Sequence, residues 1–240
     1  MLFFRCQSVY FMLKITSYLG QNFLFYMNEY NKAYQTKDFF GEKADNLLLN
    51  HYKKIKSGGK VLDIGTGQGR NAFFLLNNGY TVHGIDPSKV AVEELEKQIN
   101  RQILNLKVFH TCFSEHVAEE KIYDAILVFG LIQILSKEQI KILFEKNSIW
   151  LKKDGLVFLT GFTKQEKTFM PNSGKWKKLS ELSFTDNNGN FRTFLNADEA
   201  LNYFQNFKII HKWEGLGKKH RHGNGPVEQH HLFELILSFS

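Results

Sequence analysis

Val61-Leu62-Asp63-Ile64-Gly65-Thr66-Gly67-Gln68-Gly69-Arg70-Asn71 is the stretch whose reading decides the fold. Branched apolar residues surround an acid, glycines then alternate, and Ala72-Phe73-Phe74-Leu75-Leu76 follows. This order predicts a buried strand, a tight turn and a helix that begins at once. Gly65, Gly67 and Gly69 allow turns with positive φ and let a ligand approach the backbone. The helix behind them aims its unpaired N–H groups at that ligand.

The glycine spacing separates two kinds of ligand. A dinucleotide fingerprint has glycine, one residue, glycine, two residues, glycine. Here the third glycine comes one residue early, and Asp63 stands two residues before the first. A carboxylate there repels a pyrophosphate and attracts a cationic amino group. The spacing therefore disfavours a nicotinamide oxidoreductase. A plain glycine-rich turn in some other α/β domain is the bland alternative.

Downstream, Asn78-Gly79 closes the first helix, and Tyr80-Thr81-Val82-His83-Gly84-Ile85-Asp86 reads as a second strand ending in an acid. Pro87-Ser88 opens the next helix, with Val90, Leu95 and Ile99 on one apolar face. Asp86 lies near the distance at which α/β nucleotide folds place a carboxylate on ribose hydroxyls; a helix cap is the competing role. Leu106 to His110 and Tyr123 to Phe129 read as strands three and four. Ser136-Lys137-Glu138-Gln139 is a capping box that opens a helix with Ile140, Leu143 and Phe144 inward. Lys152-Lys153-Asp154-Gly155 is expected to turn into a fifth strand, Leu156 to Thr160. Strands and helices alternating at this spacing imply βαβ units, a parallel sheet, and acids and glycines gathered on one edge.

Residues 163–193 are polar and lysine-rich, with an Asp186-Asn187-Asn188-Gly189 turn, and are expected as an insertion on the ligand-facing edge. Asn196-Ala197-Asp198-Glu199 caps a short helix through Phe204. Lys208 to Trp213 and His231 to Phe239 are expected as a terminal antiparallel hairpin with a long polar loop.

Upstream, Ala44 to Ile55 has a helix pattern ended by Ser57-Gly58-Gly59, and the aromatic segment from Tyr30 is either an arm over a pocket or a packing strap. Residues 1–26 are apolar and aromatic but interrupted by Arg5, Lys14, Gln21 and Asn22, so no run approaches the roughly 20 residues of a membrane helix. They are expected to be an upstream extension with Met27 as the working start, in preference to a membrane-surface helix. Residues 27–240 then form one domain.

Composition narrows the class. The 240 residues, 43% of them hydrophobic, suffice for one sizeable core. Two cysteines, Cys6 and Cys112, make no disulfide framework and no metal pair, so a cytoplasmic location is expected. The net charge of +7 comes largely from scattered lysines rather than one basic face, so no nucleic-acid partner is expected.

The Asp-x-Gly-x-Gly-x-Gly pattern resembles motif I of the class I S-adenosylmethionine-dependent methyltransferases. Within that family, Gly69-Arg70-Asn71, Asp38-Phe39-Phe40-Gly41, Tyr123-Asp124 and Leu151-Lys152-Lys153-Asp154-Gly155 are similar to the small tellurite-resistance-type group. The resemblance implies a Rossmann-like, mostly parallel seven-stranded sheet with helices on both faces and a terminal antiparallel hairpin. It implies S-adenosyl-L-methionine as cofactor. Asp63 and the backbone of Gly65 and Gly67 would hold its methionine portion, Arg70 its carboxylate, Asp86 the ribose, and Pro87-Ser88 one face of adenine, with Gly69 and Cys112-Phe113 also among the cofactor-binding residues. Phe129 and Gly130 would lie beside the methyl group. The family's acid for the adenine amino group is replaced here by Cys112-Phe113-Ser114, which leaves the backbone or Ser114 to serve.

Methyl transfer from a sulfonium is an in-line displacement in which alignment can contribute roughly 7–11 kcal/mol. Soft nucleophiles need no dedicated base; neutral oxygen and nitrogen acids benefit from one. The candidates for such a base, or for a substrate contact, are His220, His222 and His230 in the C-terminal loop, with Arg221 and Lys218 nearby. Their spacing matches no standard zinc pattern, so no metal site is assigned; a simple polar turn is the plain alternative, and metal binding by several imidazoles is the lesser one. The expected function is methyl transfer to a small-molecule acceptor such as a thiol, a chalcogen oxyanion or another small nucleophile. The competing readings are an RNA or protein methyltransferase and a catalytically silent cofactor-binding module. Val128-Phe129-Gly130-Leu131 after strand four lacks the Asn-Pro-Pro-Tyr-like signature of many base methylators, which favours the small substrate.

Overall fold

The computed structural model describes residues 29–99, 105–167, 176–186 and 191–240. The expected extension over residues 1–26 lies outside them, as do parts of the expected insertion. Five strands build a parallel sheet: β1 (Lys60–Ile64), β2 (Thr81–Asp86), β3 (Leu106–His110), β4 (Tyr123–Val128) and β5 (Leu151–Phe162). The C-terminal hairpin strands, β9 (Phe207–Leu216) and β12 (His231–Phe239), complete the order β3-β2-β1-β4-β5-β12-β9. Strand β12 pairs antiparallel with both of its neighbours, so it alone runs against the rest. This is the expected Rossmann-like sheet with its terminal hairpin.

Alternation along each strand splits the core into two layers. Leu62, Ile126, Val157 and Phe233 face α4 (Lys137–Trp150) and α5 (Ala197–Leu201). Val61, Leu127, Phe158 and Ile236 face α1 (Asn46–His51), α2 (Arg70–Asn77) and α3 (Lys89–Ile99). Full burial of such side chains contributes roughly 1.5–3 kcal/mol each, so both sheet faces need their helices. Local signals set the helix ends. At α4 the Ser136 Oγ accepts from Gln139 N at 3.3 Å, while Gln139 Oε1 accepts from Ser136 N at 2.9 Å. At α5 the Glu199 carboxylate accepts from Asn196 N at 2.9 Å, and the helix ends at Leu201, short of Phe204.

The structure corrects the start of the fifth strand. Pairing of β4 with β5 begins at Tyr123↔Leu151 and resumes at Ala125↔Leu156, so Lys152 to Gly155 form a bulge inside the strand. Asp124 explains it: its carboxylate accepts from Lys152 Nζ at 2.7 Å and from Lys60 N at 2.9 Å, holding the bulge against β1.

Between β5 and α5 lies a second, antiparallel sheet of β6 (Trp176–Lys178), β7 (Ser183–Asp186) and β8 (Phe191–Thr193). Thr193 Oγ1 donates to Leu135 O at 2.6 Å, which seats this sheet beside the segment that leaves β4. A third pair, β10 (His220–Arg221) and β11 (Val227–Glu228), forms a small hairpin inside the loop joining β9 to β12.

Candidate functional site

Parallel β1, β2 and β4 end together, which brings Asp63, the glycine loop, Asp86 and Phe129-Gly130 to one edge. The loop is fastened from below: Gly65 N and Thr66 N both donate to Ile85 O, at 2.9 and 3.1 Å. Gly65 has φ +75°, and open space lies where a side chain would stand. Gly67 has φ +53°, and a Cβ there would meet Tyr34 Oη at 2.8 Å. A side chain at either position would be strained, and at Gly67 it would also displace the tyrosine. Gly69 is the N-cap of α2.

Two buried carboxylates flank the loop. Asp63, 2% exposed, accepts from Thr66 Oγ1 at 2.9 Å. Burial pushes its pKa up to about 7, against the opposing pull of the Thr66 hydrogen bond and Arg70. Asp86, 4% exposed, accepts from Gly67 N and Ser88 N, both at 2.8 Å, and burial raises its pKa to about 6. Asp86 thus does two jobs at once: it braces the loop and the start of α3, and each of its oxygens keeps a lone pair for a hydroxyl. A cationic or hydroxyl-bearing group arriving here would relieve the cost of burying both charges. The residues present therefore fit S-adenosylmethionine, whose amino group is cationic and whose ribose carries two hydroxyls.

The other expected contacts are partly engaged elsewhere. Arg70 Nη1 donates to Phe40 O at 2.9 Å, toward the N-terminal arm. Arg70 also borders an open cleft of about 310 Å³ with Glu42, Leu49 and Phe73, a space that neither buried acid lines. Ser88 Oγ donates to Asn31 Oδ1 at 2.6 Å and accepts from Ala91 N at 3.2 Å, so it caps α3. Pro87 O is bonded to His110 Nε2 at 3.0 Å. Phe113 is buried in the core, and Cys112 Sγ pairs with Ser114 Oγ at 3.0 Å. Gly130 N donates to Thr160 Oγ1 at 3.2 Å, and Phe129 packs on the α1–α3 side.

Residues 29–43 form the arm, and they lie over the glycine loop. Tyr30, Tyr34 and Phe40 pack on one another with ring centroids 5.8 to 6.1 Å apart. Gln68 holds the arm down, accepting from Phe39 N at 3.0 Å and donating to Thr36 O at 2.9 Å. Burial, and next the Asp86 charge, keep the Tyr34 hydroxyl well above its usual pKa, so it stays protonated. Tyr34 and Gln68 had no motif to mark them; their roles appear only once the arm is folded back.

His220, His222 and His230 do come together. Their ring centroids lie 4.8 and 5.2 Å from one another through His220. The arm meets this cluster too: Gly223 N donates to Phe39 O at 2.8 Å, and His222 stacks on Phe39. Burial lowers the His222 pKa, whereas the Glu166 hydrogen bond raises that of His230. Glu166, 2% exposed, accepts from His230 Nδ1 at 3.1 Å and from His231 N at 2.6 Å. Glu166 and Glu228 stand in this cluster without having been marked by sequence spacing.

Proteins of similar sequence or fold are methyltransferases. A sequence model described as a methyltransferase domain matches residues 61–155. A probable (S)-tetrahydroprotoberberine N-methyltransferase from Papaver bracteatum is 29% identical over 72% of this chain and 48% of its own length. TehB of Haemophilus influenzae, a probable S-adenosyl-L-methionine-dependent methyltransferase, is 23% identical over 79% of this chain and 61% of its own. Its crystal structure superposes with a TM-score of 0.63 at 19% identity, covering 81% of this chain and 62% of that one. A 1,6-didemethyltoxoflavin-N1-methyltransferase from Burkholderia thailandensis, solved with S-adenosylhomocysteine, gives a TM-score of 0.59 at 14% identity over 81% and 76% of the two chains. The chain spans about half to three fifths of the curated relatives it matches here. Among the described residues, no helix is long and apolar enough to cross a membrane. Motif I, its two acids and the seven-strand order agree with the domain match: residues 61–155 carry a methyltransferase domain, and the chain is similar to TehB, a probable S-adenosyl-L-methionine-dependent methyltransferase.

Proposed function

We propose that this chain transfers a methyl group from S-adenosylmethionine to a small-molecule acceptor. The observation that carries the reading is the pair of buried acids, Asp63 and Asp86, on either side of a glycine loop that leaves space above Gly65. Asp63 would receive the cofactor's ammonium and Asp86 its ribose hydroxyls. Arg70 would serve the carboxylate after giving up Phe40 O. When bound, the cofactor supplies an electrophilic methyl: the acceptor's lone pair forms the new bond, the methyl–sulfur pair returns to sulfur, and S-adenosylhomocysteine leaves.

The chain's own part is alignment and exclusion of water. The Tyr30–Tyr34–Phe40 cluster covers the cofactor side, and the histidine hairpin is bonded to the same arm. Such a covered site suits a small acceptor better than a duplex or a protein surface. A proton released by a neutral acceptor can pass to a histidine of the cluster when its ring carries no other ligand, and burial holds His222 toward its neutral, accepting form. One relative and one structural neighbour act on small molecules by their names, (S)-tetrahydroprotoberberine and 1,6-didemethyltoxoflavin, and both support the reading.

The test is calorimetry with S-adenosylmethionine, S-adenosylhomocysteine and NAD in parallel, followed by release of S-adenosylhomocysteine with a panel of small thiols, amines and chalcogen oxyanions. Binding of the first two and turnover on a panel member are expected. Binding of NAD alone, or no heat from either sulfur ligand with folded protein, would sink the proposal.

A further inference from the structure

We infer that His220, His222, Glu228 and His230 form a binding site for a divalent transition-metal ion on the acceptor side of this chain. Each offers one ligand atom, and the four atoms lie within 4.8 Å of one another. Tetrahedral zinc keeps its ligand atoms roughly 3.4 Å apart, so side-chain shifts of about an ångström close the quartet on one ion. Glu228 Oε2 already lies between two imidazoles, 3.7 Å from His222 Nε2 and 3.3 Å from His230 Nε2.

The surroundings are those of a built site. The Nδ1 of His230 is bonded to buried Glu166, and the Nδ1 of His220 to Lys218 O at 3.1 Å. In each ring the proton belongs on that nitrogen, which leaves the Nε2 lone pair for a metal; carboxylate–imidazole–metal relays are built this way. His222 Nδ1 is buried with no hydrogen-bond partner among the described residues, and a metal bond to that nitrogen would end this state. Phe162 stacks on His230 at 4.6 Å and Phe39 on His222 at 6.0 Å, fixing both ring planes. Three imidazoles and one carboxylate favour zinc, iron(II), cobalt(II) or nickel(II) over magnesium or calcium. Linear spacing concealed the set because Glu228 arrives across the β10–β11 hairpin, paired with His220.

The site's place suggests its task, and this part rests on the methyl-transfer reading. The hairpin stands beside the end of β5, through Phe162, and beside the arm that closes over the glycine loop. A metal there would hold an acceptor through an ionised heteroatom, a thiolate foremost, by displacing the half-exposed Glu228 carboxylate or expanding to five ligands, with the acceptor's proton passing to that carboxylate or to solvent.

The experiment uses the full chain without a histidine tag. Zinc is measured by equilibrium dialysis and elemental analysis, and cobalt(II) by its visible absorption. One equivalent of zinc is expected, with the intense visible bands of four-coordinate cobalt. His222→Ala and Glu228→Ala should each weaken zinc at least about 100-fold, and Glu166→Gln, which removes the charge that orients His230 and also meets His231 N, about 10–100-fold. A small thiol added to the cobalt form should produce a sulfur-to-cobalt charge-transfer band. Less than half an equivalent of zinc, or affinity unchanged in His222→Ala and Glu228→Ala, overturns the site. No charge-transfer band overturns its acceptor role. Calorimetry with S-adenosylhomocysteine on the same samples keeps the two questions apart: its failure would strike the methyl-transfer reading while leaving the zinc result standing.

Discussion

Asp63→Asn is expected to make the chain more stable and less able to bind its cofactor. The folded pKa of Asp63 is about 7 against 3.8 for a free carboxyl, and burial is the main cause. Between about pH 4 and pH 7 the folded chain binds more protons than the unfolded one, so this group's contribution to stability falls as pH rises through that window. Above pH 7 the full cost is present: about three pKa units, or about 4 kcal/mol at 1.36 kcal/mol each. Asparagine has nearly the same shape, can still accept from Thr66 Oγ1, and carries no charge to desolvate. Chemical denaturation at pH 8 should therefore show a gain of about 4 kcal/mol, which for a chain of this size corresponds to roughly 8–16 °C in Tm. The gain should shrink to about 1.5 kcal/mol at pH 5 and vanish near pH 4. Loss of a charged partner for an ammonium should weaken S-adenosylhomocysteine about 10- to 150-fold, from roughly 1.5–3 kcal/mol for such a bond. A variant no more stable than the parent at pH 8, or equally stabilised at pH 4 and pH 8, would refute the burial argument.

Two further changes probe the same edge, and a third, at the start of β4, is a control away from it. Gly67→Ala forces an alanine to φ +53° and into Tyr34; the backbone term alone costs about 1–2 kcal/mol in urea unfolding. Its titration with S-adenosylhomocysteine should lose the parent's heat, and an unchanged titration would show that the loop does not hold the ligand. Asp86→Ala strands the amides of Gly67 and Ser88 at about 1–3 kcal/mol each but removes a buried acid whose raised pKa is worth about 3 kcal/mol. Stability should change little while affinity falls steeply; full affinity in this variant would dispose of the ribose contact. Tyr123→Phe removes the 2.9 Å bond from the Tyr123 hydroxyl to His83 Nδ1 and should cost about 1 kcal/mol by denaturant titration, with ligand affinity untouched.

Much of this arrangement was legible because the physics involved is local. Asp63, Gly65, Gly67 and Asp86 sit at strand ends where chemistry and position are set by a few neighbours, and the capping box at Ser136 announces itself within four residues. What escaped depends on distance along the chain. Glu166 meets His230 across 64 positions, and Gln68 reaches Phe39 across 29. The stretch from Lys152 to Gly155 has the composition of a turn, and only the partner strand shows that pairing continues on both sides of it. The histidines were visible as a cluster, but their shared target depends on a hairpin whose strands are two residues long.

Residues 36 to 41 make bonds to Gln68 on one side and to Gly223 on the other. They form one strap buckled at two ends, so on the proposed function lifting it to admit the methyl donor would also loosen the hairpin against which the acceptor would rest. The two substrates then cannot enter and leave independently. The proposed function then carries an expected compulsory order: donor first, acceptor second, spent donor last. Initial-rate studies would read it as S-adenosylhomocysteine competing with the donor but not with the acceptor.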